Sequence, residues 1–319
     1  MNRPDEREII KIFQNRFGKK SRFRSNDLEI IKIGRTRFVT KSDMLVQSTD
    51  VPPKMKLREI ARKSIVSCVS DFSCKGVKPR FATIALALPR NINQKMVNEL
   101  ADGFLQSSRE FDLKIIGGDL NEGKEIVIEV SMFGLSKRAI PTRSGSKIGD
   151  VIVVSGPFGY CSAGLKIILG RYRSNSKFRN KCRQSVFAPS PRLEFGLNAA
   201  KYFSSSMDSS DGLSITLNEM SVQSKKQFVI TNLPTRKDMI EFAQRNKINL
   251  EDLIFCGGEE YEIVATLSPN NLHKVRNIAD KSKTPLQEIG YVSKGKNVIF
   301  AKKGGSRIVK KCGWTHLKS

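Results

Sequence analysis

Apolar residues along this chain alternate between helical and strand spacing. Near the start, Ile9, Ile10, Phe13 and Phe17 recur at helical intervals and predict an amphipathic helix. Residues 57–70 put Leu57, Ile60, Ala61, Ile65, Cys68 and Val69 on one helical face, and Gly76 and Pro79 end that helix. The run FATIALALP (81–89) predicts a buried strand. Residues 94–111 predict a second helix with a stripe of Met96, Val97, Leu100, Ala101, Phe104 and Leu105. LKIIGGD (113–119) reads as a short strand entering a glycine turn. IVIEVSMFG (126–134) alternates, with Ile126, Ile128, Val130 and Met132 facing inward. The order predicts an α/β unit with a mixed sheet.

The polar, turn-rich stretch 136–150 marks a boundary, giving domains 1–140 and 141–319. VIVVSG (151–156) opens the second unit as a buried strand, and a helix follows from Tyr160. Residues 170–190 are basic and polar and read as a mobile loop. Helical spacing recurs at 192–202, 212–221, 235–246 and 269–281, and strand spacing at 227–231, 261–267 and 297–301. The second unit is α/β as well.

Composition narrows the function classes. With 319 residues and 39% hydrophobic content the chain can bury a large core. It contains no apolar run long enough to span a membrane, and its charged N-terminus does not read as a secretory signal. Six scattered cysteines without a Cys-x-x-Cys pair, and only two histidines, argue against a zinc site and suit a reducing cytoplasm. The net charge is +25, and the stretches 151–193 and 289–319 each carry eight basic residues and no acid. Such charge attracts polyanions. No zinc finger, RNA-binding signature or basic-aromatic ladder accompanies it, so a solvated surface that helps phosphate substrates is preferred to a nucleic-acid partner.

The chemistry lies in aspartates at the ends of elements. There is no G-x-x-x-x-G-K-[ST] and no G-x-G-x-x-G; Gly18-Lys19-Lys20-Ser21 lacks the spacing. Gly156, Gly159 and Gly164 could turn backbone N–H groups toward an anion, or could simply make a tight turn. Asp43 follows a strand-like segment, and Asp71 ends a helix. Gly118-Asp119 follows an apolar strand, and Asp208, Ser210 and Asp211 precede a helix. Magnesium takes oxygen ligands and usually binds one or two carboxylates together with phosphate oxygens, so converging aspartates would suit an ATP-dependent site. Taken singly, each could equally be a helix cap or turn residue.

Six segments, in order, resemble thiamine-monophosphate kinases of the AIR-synthetase-like superfamily: SDFSCKGVKPR (70–80), IIGGDLNEG (115–123), RSGSKIGDVIVVSGPFGYCSAGL (143–165), MDSSDGL (207–213), GGEEYEIVATL (257–267) and GWTHL (313–317). The resemblance implies a two-domain α/β fold that dimerises through its N-terminal domain. It also implies a cytoplasmic enzyme that uses ATP and Mg2+ to phosphorylate thiamine phosphate to thiamine diphosphate. By the same resemblance Asp27, Ser42, Asp43, Asp71, Asp119, Asp208 and Asp211 would hold metal. Gly118, Asp119, Arg143 and Asp211 would bind ATP, and Ser210 and Asp211 would sit at the transferred group. Asp50, Glu260 and Trp314 would face the second substrate.

The chain also departs from that family. Asn26 stands where the family has an acid, Gln47 where it has a glutamate, and Glu260 where it has an aspartate. The family's histidine is missing near Asp50. These changes leave open another acceptor on the same fold, or a non-catalytic polyanion binder. The hydrogenase-maturation relatives end in cysteine, whereas this chain reads Leu317-Lys318-Ser319. The selenophosphate-synthesising relatives need an early cysteine, and none precedes Cys68.

Overall fold

The computed structural model describes residues 4–17, 26–170, 172–302 and 304–317, without the side chain of Arg7. Gly18–Ser21, Lys318 and Ser319, named from the sequence, lie outside the described residues.

The first half runs α1 (Glu6–Phe17), β1 (Glu29–Ile33), β2 (Thr36–Val46), α2 (Gln47–Asp50), α3 (Leu57–Lys75), β3 (Pro79–Pro89), α4 (Gln94–Glu110), β4 (Lys114–Gly123) and β5 (Val127–Ser136). Its sheet has the order β1-β2-β5-β3-β4, in which only β3 and β4 pair in parallel. One face packs against α3 and α4, with Ile126, Ile128, Val130 and Met132 buried as their alternation predicts. The other face is uncovered and apolar: Ile33 is 64% exposed and Leu135 58% exposed, and Ile31, Met44 and Phe81 share that exposure. Amphipathic α1 forms as predicted, but Ile10, Phe13 and Phe17 are exposed.

The second half runs β6 (Val151–Val154), α5 (Tyr160–Ile168), α6 (Ser176–Phe187), α7 (Leu193–Ala199), β7 (Ser205–Ser209), α8 (Leu213–Ser224), β8 (Gln227–Ile230), α9 (Lys237–Arg245), α10 (Leu250–Cys256), β9 (Glu262–Leu267), α11 (Leu272–Lys281), β10 (Gln287–Ser293), β11 (Val298–Lys302) and β12 (Gly305–Ile308). Its sheet has the order β12-β11-β8-β10-β6-β9-β7. Helices α8 and α10 cover one face, and α7, α11 and the end of α3 cover the other.

Three expectations are corrected. Residues 170–190 contain a helix rather than a loop throughout. Phe178, Cys182 and Val186 repeat every four residues and are buried, and the Asn175 side chain caps the helix by accepting from Phe178 N at 2.8 Å. Gly117-Gly118-Asp119 is not a turn but the middle of β4. A Cβ on Gly118 would lie 1.8 Å from the Ile84 carbonyl oxygen, so the pairing with β3 requires glycine there. The cysteines are not all free either: Cys256 and Cys312 form a disulfide, while Cys68, Cys74, Cys161 and Cys182 are buried thiols.

Candidate active site

Helix α3 lies between the two sheets and is buried on nearly every side from Ile60 onward, polar residues included. A helix buried all round must pair its polar groups. Asp71, one turn before the helix end rather than at it, meets Lys41 of β2 at 2.9 Å. The Ser70 hydroxyl donates to Asp208 of β7 at 2.9 Å. Lys75 donates to the Ser206 carbonyl at 2.5 Å and pairs with Asp27 at 2.6 Å. Arg143 reaches Asp27 Oδ1 with Nε at 2.9 Å and Nη2 at 2.6 Å. Strand β2 contributes through its period of two: Val39, Lys41, Asp43 and Leu45 share the inward face.

Asp27, Asp43, Asp71 and Asp208 thus converge, while Asp211 at the end of the β7 turn, its carboxyl raised by burial, feels Glu6 and His316 and, less, Arg143 and Asp43. Burial alone would raise the Asp27 carboxyl, but Lys75 and Arg143 outweigh it and hold it at about 2. Burial and the nearby Asp27 push Asp208 up to about 6. Burial likewise raises Asp71, with Asp208, Asp27 and Asp43 adding to the rise against the pull of Lys41. The donor set fits a hard cation. Carboxylates outnumber the neighbouring cations Lys41, Lys75 and Arg143, and the buried Asn26 Oδ1 and Ser209 Oγ lack a hydrogen-bond partner. The Cys74 thiol lies within 4.8 Å of ligand atoms of Asp27 and Asp208, and burial raises its pKa, keeping it protonated.

The segments carrying Asp50 and Trp314, expected to face the second substrate, adjoin this cluster. Lys63, a buried lysine of α3, donates to the Asp50 carbonyl at 2.6 Å and forms a short ion pair with Glu259. Glu259 N donates to the Ser210 carbonyl at 2.5 Å, and Trp314 N donates to the Asp211 carbonyl at 2.9 Å. A Cβ at Gly313 would lie 2.3 Å from that same Asp211 oxygen, so glycine lets the C-terminal segment approach. The Cys256–Cys312 disulfide joins the two segments just before Gly257 and Gly313. The Trp314 ring is 52% exposed, edge-on to His316.

Four site residues, Ser42, Gly118, Asp119 and Glu260, lie elsewhere. Ser42 points to the uncovered face of the sheet, where its hydroxyl makes a short hydrogen bond with Glu129. Asp119 is exposed on the edge strand β4, level with Ala85, Glu129 and Met44. It is three strands from β2, about 14 Å at the usual spacing. The resemblance puts Glu260 on the substrate side, but its Oε1 accepts from Gly159 N at 2.7 Å and Cys161 N at 3.1 Å. It fills the α5 N-terminus, the place where Gly156 and Gly159 were read as a possible anion turn. Lys41, Lys63, Lys75 and Glu259 were not singled out from the sequence. For Lys41 a signal existed, since it occupies an inward position between Val39 and Leu45.

Residues 25–136 match the family model for the AIR synthase related protein N-terminal domain, and residues 147–303 match that for its C-terminal domain. A thiamine-monophosphate kinase of Nitrosopumilus maritimus (strain SCM1) is 49% identical over 318 residues, covering 100% of both chains. The chain belongs to the thiamine-monophosphate kinase family. Another member, from Pyrococcus horikoshii, is 29% identical over 100% of this chain and 98% of its own. Among solved structures, AaThiL complexed with AMPPCP and TMP superposes with a TM-score of 0.88 at 24% identity, covering 99% of each chain. The tt0281 structure from Thermus thermophilus gives 0.84 at 25% identity, covering 95% of this chain and 98% of that one. The family's two-domain α/β fold is therefore this chain's fold. No helix among the described residues is long and apolar enough to cross a membrane.

Proposed function

We propose that the chain transfers the γ-phosphoryl group of ATP to the phosphate of thiamine phosphate, giving thiamine diphosphate and ADP. The observation that carries this reading is the convergence of Asp27, Asp43, Asp71, Asp208 and Asp211 in a chain 49% identical, over its full length, to a thiamine-monophosphate kinase. These five carboxylates would hold Mg2+, which when bound neutralises the reacting phosphates and aligns them for transfer. Arg143 fixes Asp27 and contributes positive charge at the phosphates. Ser210 and Asp211 join the phosphate side to the acceptor side through their backbone bonds to Glu259 and Trp314. Lys63 ties the Asp50 loop to Glu259 and so shapes the acceptor side. The exposed Trp314 indole offers a face to the cationic thiazolium ring.

The reading includes the division at residues 140 and 141, a cytoplasmic location suited to ATP use, and a homodimer. The uncovered apolar face of the five-stranded sheet supports the dimer, since contiguous exposed apolar surface of this kind marks an interface. Gly118 and Asp119, remote from their own chain's cluster, would then serve the partner's site.

The test is direct. Purified protein with Mg2+, ATP and thiamine phosphate makes thiamine diphosphate and ADP in equal amounts. ATP binding without product at high enzyme concentration would refute this acceptor.

A further inference from the structure

Lys41 is the unusual group of the acidic cluster. Strand β2 aims it inward between buried Val39 and buried Leu45, so its ammonium sits under the sheet against α3. Its Nζ is 2.9 Å from Asp71 Oδ2. The groups that interact with it electrostatically are Asp43 on its own strand, Asp71 and Cys68 on α3, Glu29 on β1 and Asp208 on β7. Asp27 is already matched by Lys75 and Arg143, leaving Lys41 as the close cation of Asp71.

A neighbouring position acts in the same direction. Asn26 occupies a place where the family carries an acid, and its buried Oδ1 has no hydrogen-bond partner. One negative charge fewer at position 26 and the positive charge of Lys41 together amount to two units, the charge of one divalent ion. An ammonium within hydrogen-bond distance of Asp71 also fills space that a metal ion on that oxygen would need, because cations so close repel strongly in a buried site.

We propose that the Lys41 ammonium stands in for one divalent cation: it is a positioning residue that neutralises Asp71 and Asp43, so the site loads one metal ion fewer than its carboxylates could hold. This rests on reading the cluster as a divalent-cation site.

The experiment counts Mn2+ bound per chain, by electron paramagnetic resonance and calorimetry, with a non-hydrolysable ATP analogue present. Lys41→Met should bind one more Mn2+ than the unaltered protein, and Lys41→Arg should bind the same number as the unaltered protein. The first ions should also bind Lys41→Met at least about tenfold more tightly, because a repelling charge has gone. Should Lys41→Met not fold, Lys41→Gln keeps a polar contact to Asp71 and is counted instead. If both variants fold only when Mn2+ is added, the ion is replacing the ammonium and the proposal holds. If both stay unfolded with Mn2+, Lys41 is a structural ion pair only and the proposal fails. An unchanged count and affinity in a folded variant overturns the proposal while the metal-site reading survives. No Mn2+ binding to the unaltered protein overturns both.

Discussion

The two sheets are built on the same principle and finished differently. In the seven-stranded sheet every residue of β9 is buried, because helices cover both faces. In the five-stranded sheet only one face has helices, and β4 at its edge is exposed along almost its whole length. The first sheet is complete within one chain, and the second leaves apolar surface that water must cover. The acidic cluster sits where the complete half of each meets the other, on either side of α3. Of the predicted site acids, Asp119 lies on the incomplete side, as does Ser42.

The largest effects should separate these two placements. Asp211→Asn and Asp119→Asn each lower turnover at least about a hundredfold, the scale of losing electrostatic stabilisation of the transferred group. Mixing the two inactive variants then tells them apart. If Asp119 acts across a dimer, random exchange gives half mixed dimers, each with one intact site, and about a quarter of full activity returns. No recovery after demonstrated subunit exchange would place both residues in one chain's site.

A charge on the uncovered face should come next. Leu135→Asp adds a carboxylate to a surface position of the isolated chain, so the fold should keep its helical and strand content. A dimer through that face would dissociate, seen by sedimentation, with activity down by about tenfold or more because buried unpaired charge is costly at an interface. A variant that stays dimeric and active would move the interface elsewhere.

The buried cluster should also show in acid. Asp27 is held at about 2, below the usual 3.8 for its side chain, so it stabilises the fold fully above about pH 4. That contribution disappears as pH falls through about 2, a loss of about 2 kcal/mol. Denaturation measured between pH 5 and pH 2 should show this step in the unaltered protein and not in Asp27→Asn. The variant should start lower at pH 7, because it leaves Lys75 buried without its carboxylate.

Helices and strands with a regular period were readable from the sequence, and those whose period is interrupted were not. Strand β5 follows its apolar spacing closely; α4 buries Leu100 and Phe104 of its predicted stripe but leaves Val97 and Leu105 exposed, and α3 forms where predicted but is buried beyond its one apolar face. Strand β10 was missed because a bulge between Glu288 and Gly290 leaves Ile289 and Val292, three apart, as its buried residues. Strand β7 reads SSMDS, whose buried Ser205 and Ser206 bond to side chains and backbone of other elements rather than filling an apolar core. The acids of the site could be named through a family likeness. Their cations could not, because Lys75 becomes a site residue only when α3 packs against β7, a contact 131 residues away in sequence. Lys41 was within reach, since strand alternation already turned it inward.

Glu260 gives the finest test, because one carboxylate has two competing assignments. As a substrate ligand it would face the acceptor. In the structure it closes the α5 N-terminus, accepting from Gly159 and Cys161 N–H, and burial pushes its carboxyl up to about 8. It is therefore mostly protonated at neutral pH, and its raised value means that stability is greatest below about pH 4.5 and declines as pH rises toward 8. Glu260→Gln keeps an oxygen acceptor for those two N–H groups and cannot ionise. It should change kcat/KM less than about threefold at pH 7, below the cost of losing one strong hydrogen bond. Its thermal midpoint should gain on the unaltered protein as pH is raised from about 5 to 8. A large rise in KM for thiamine phosphate, with no such crossing of stability curves, would return Glu260 to the substrate.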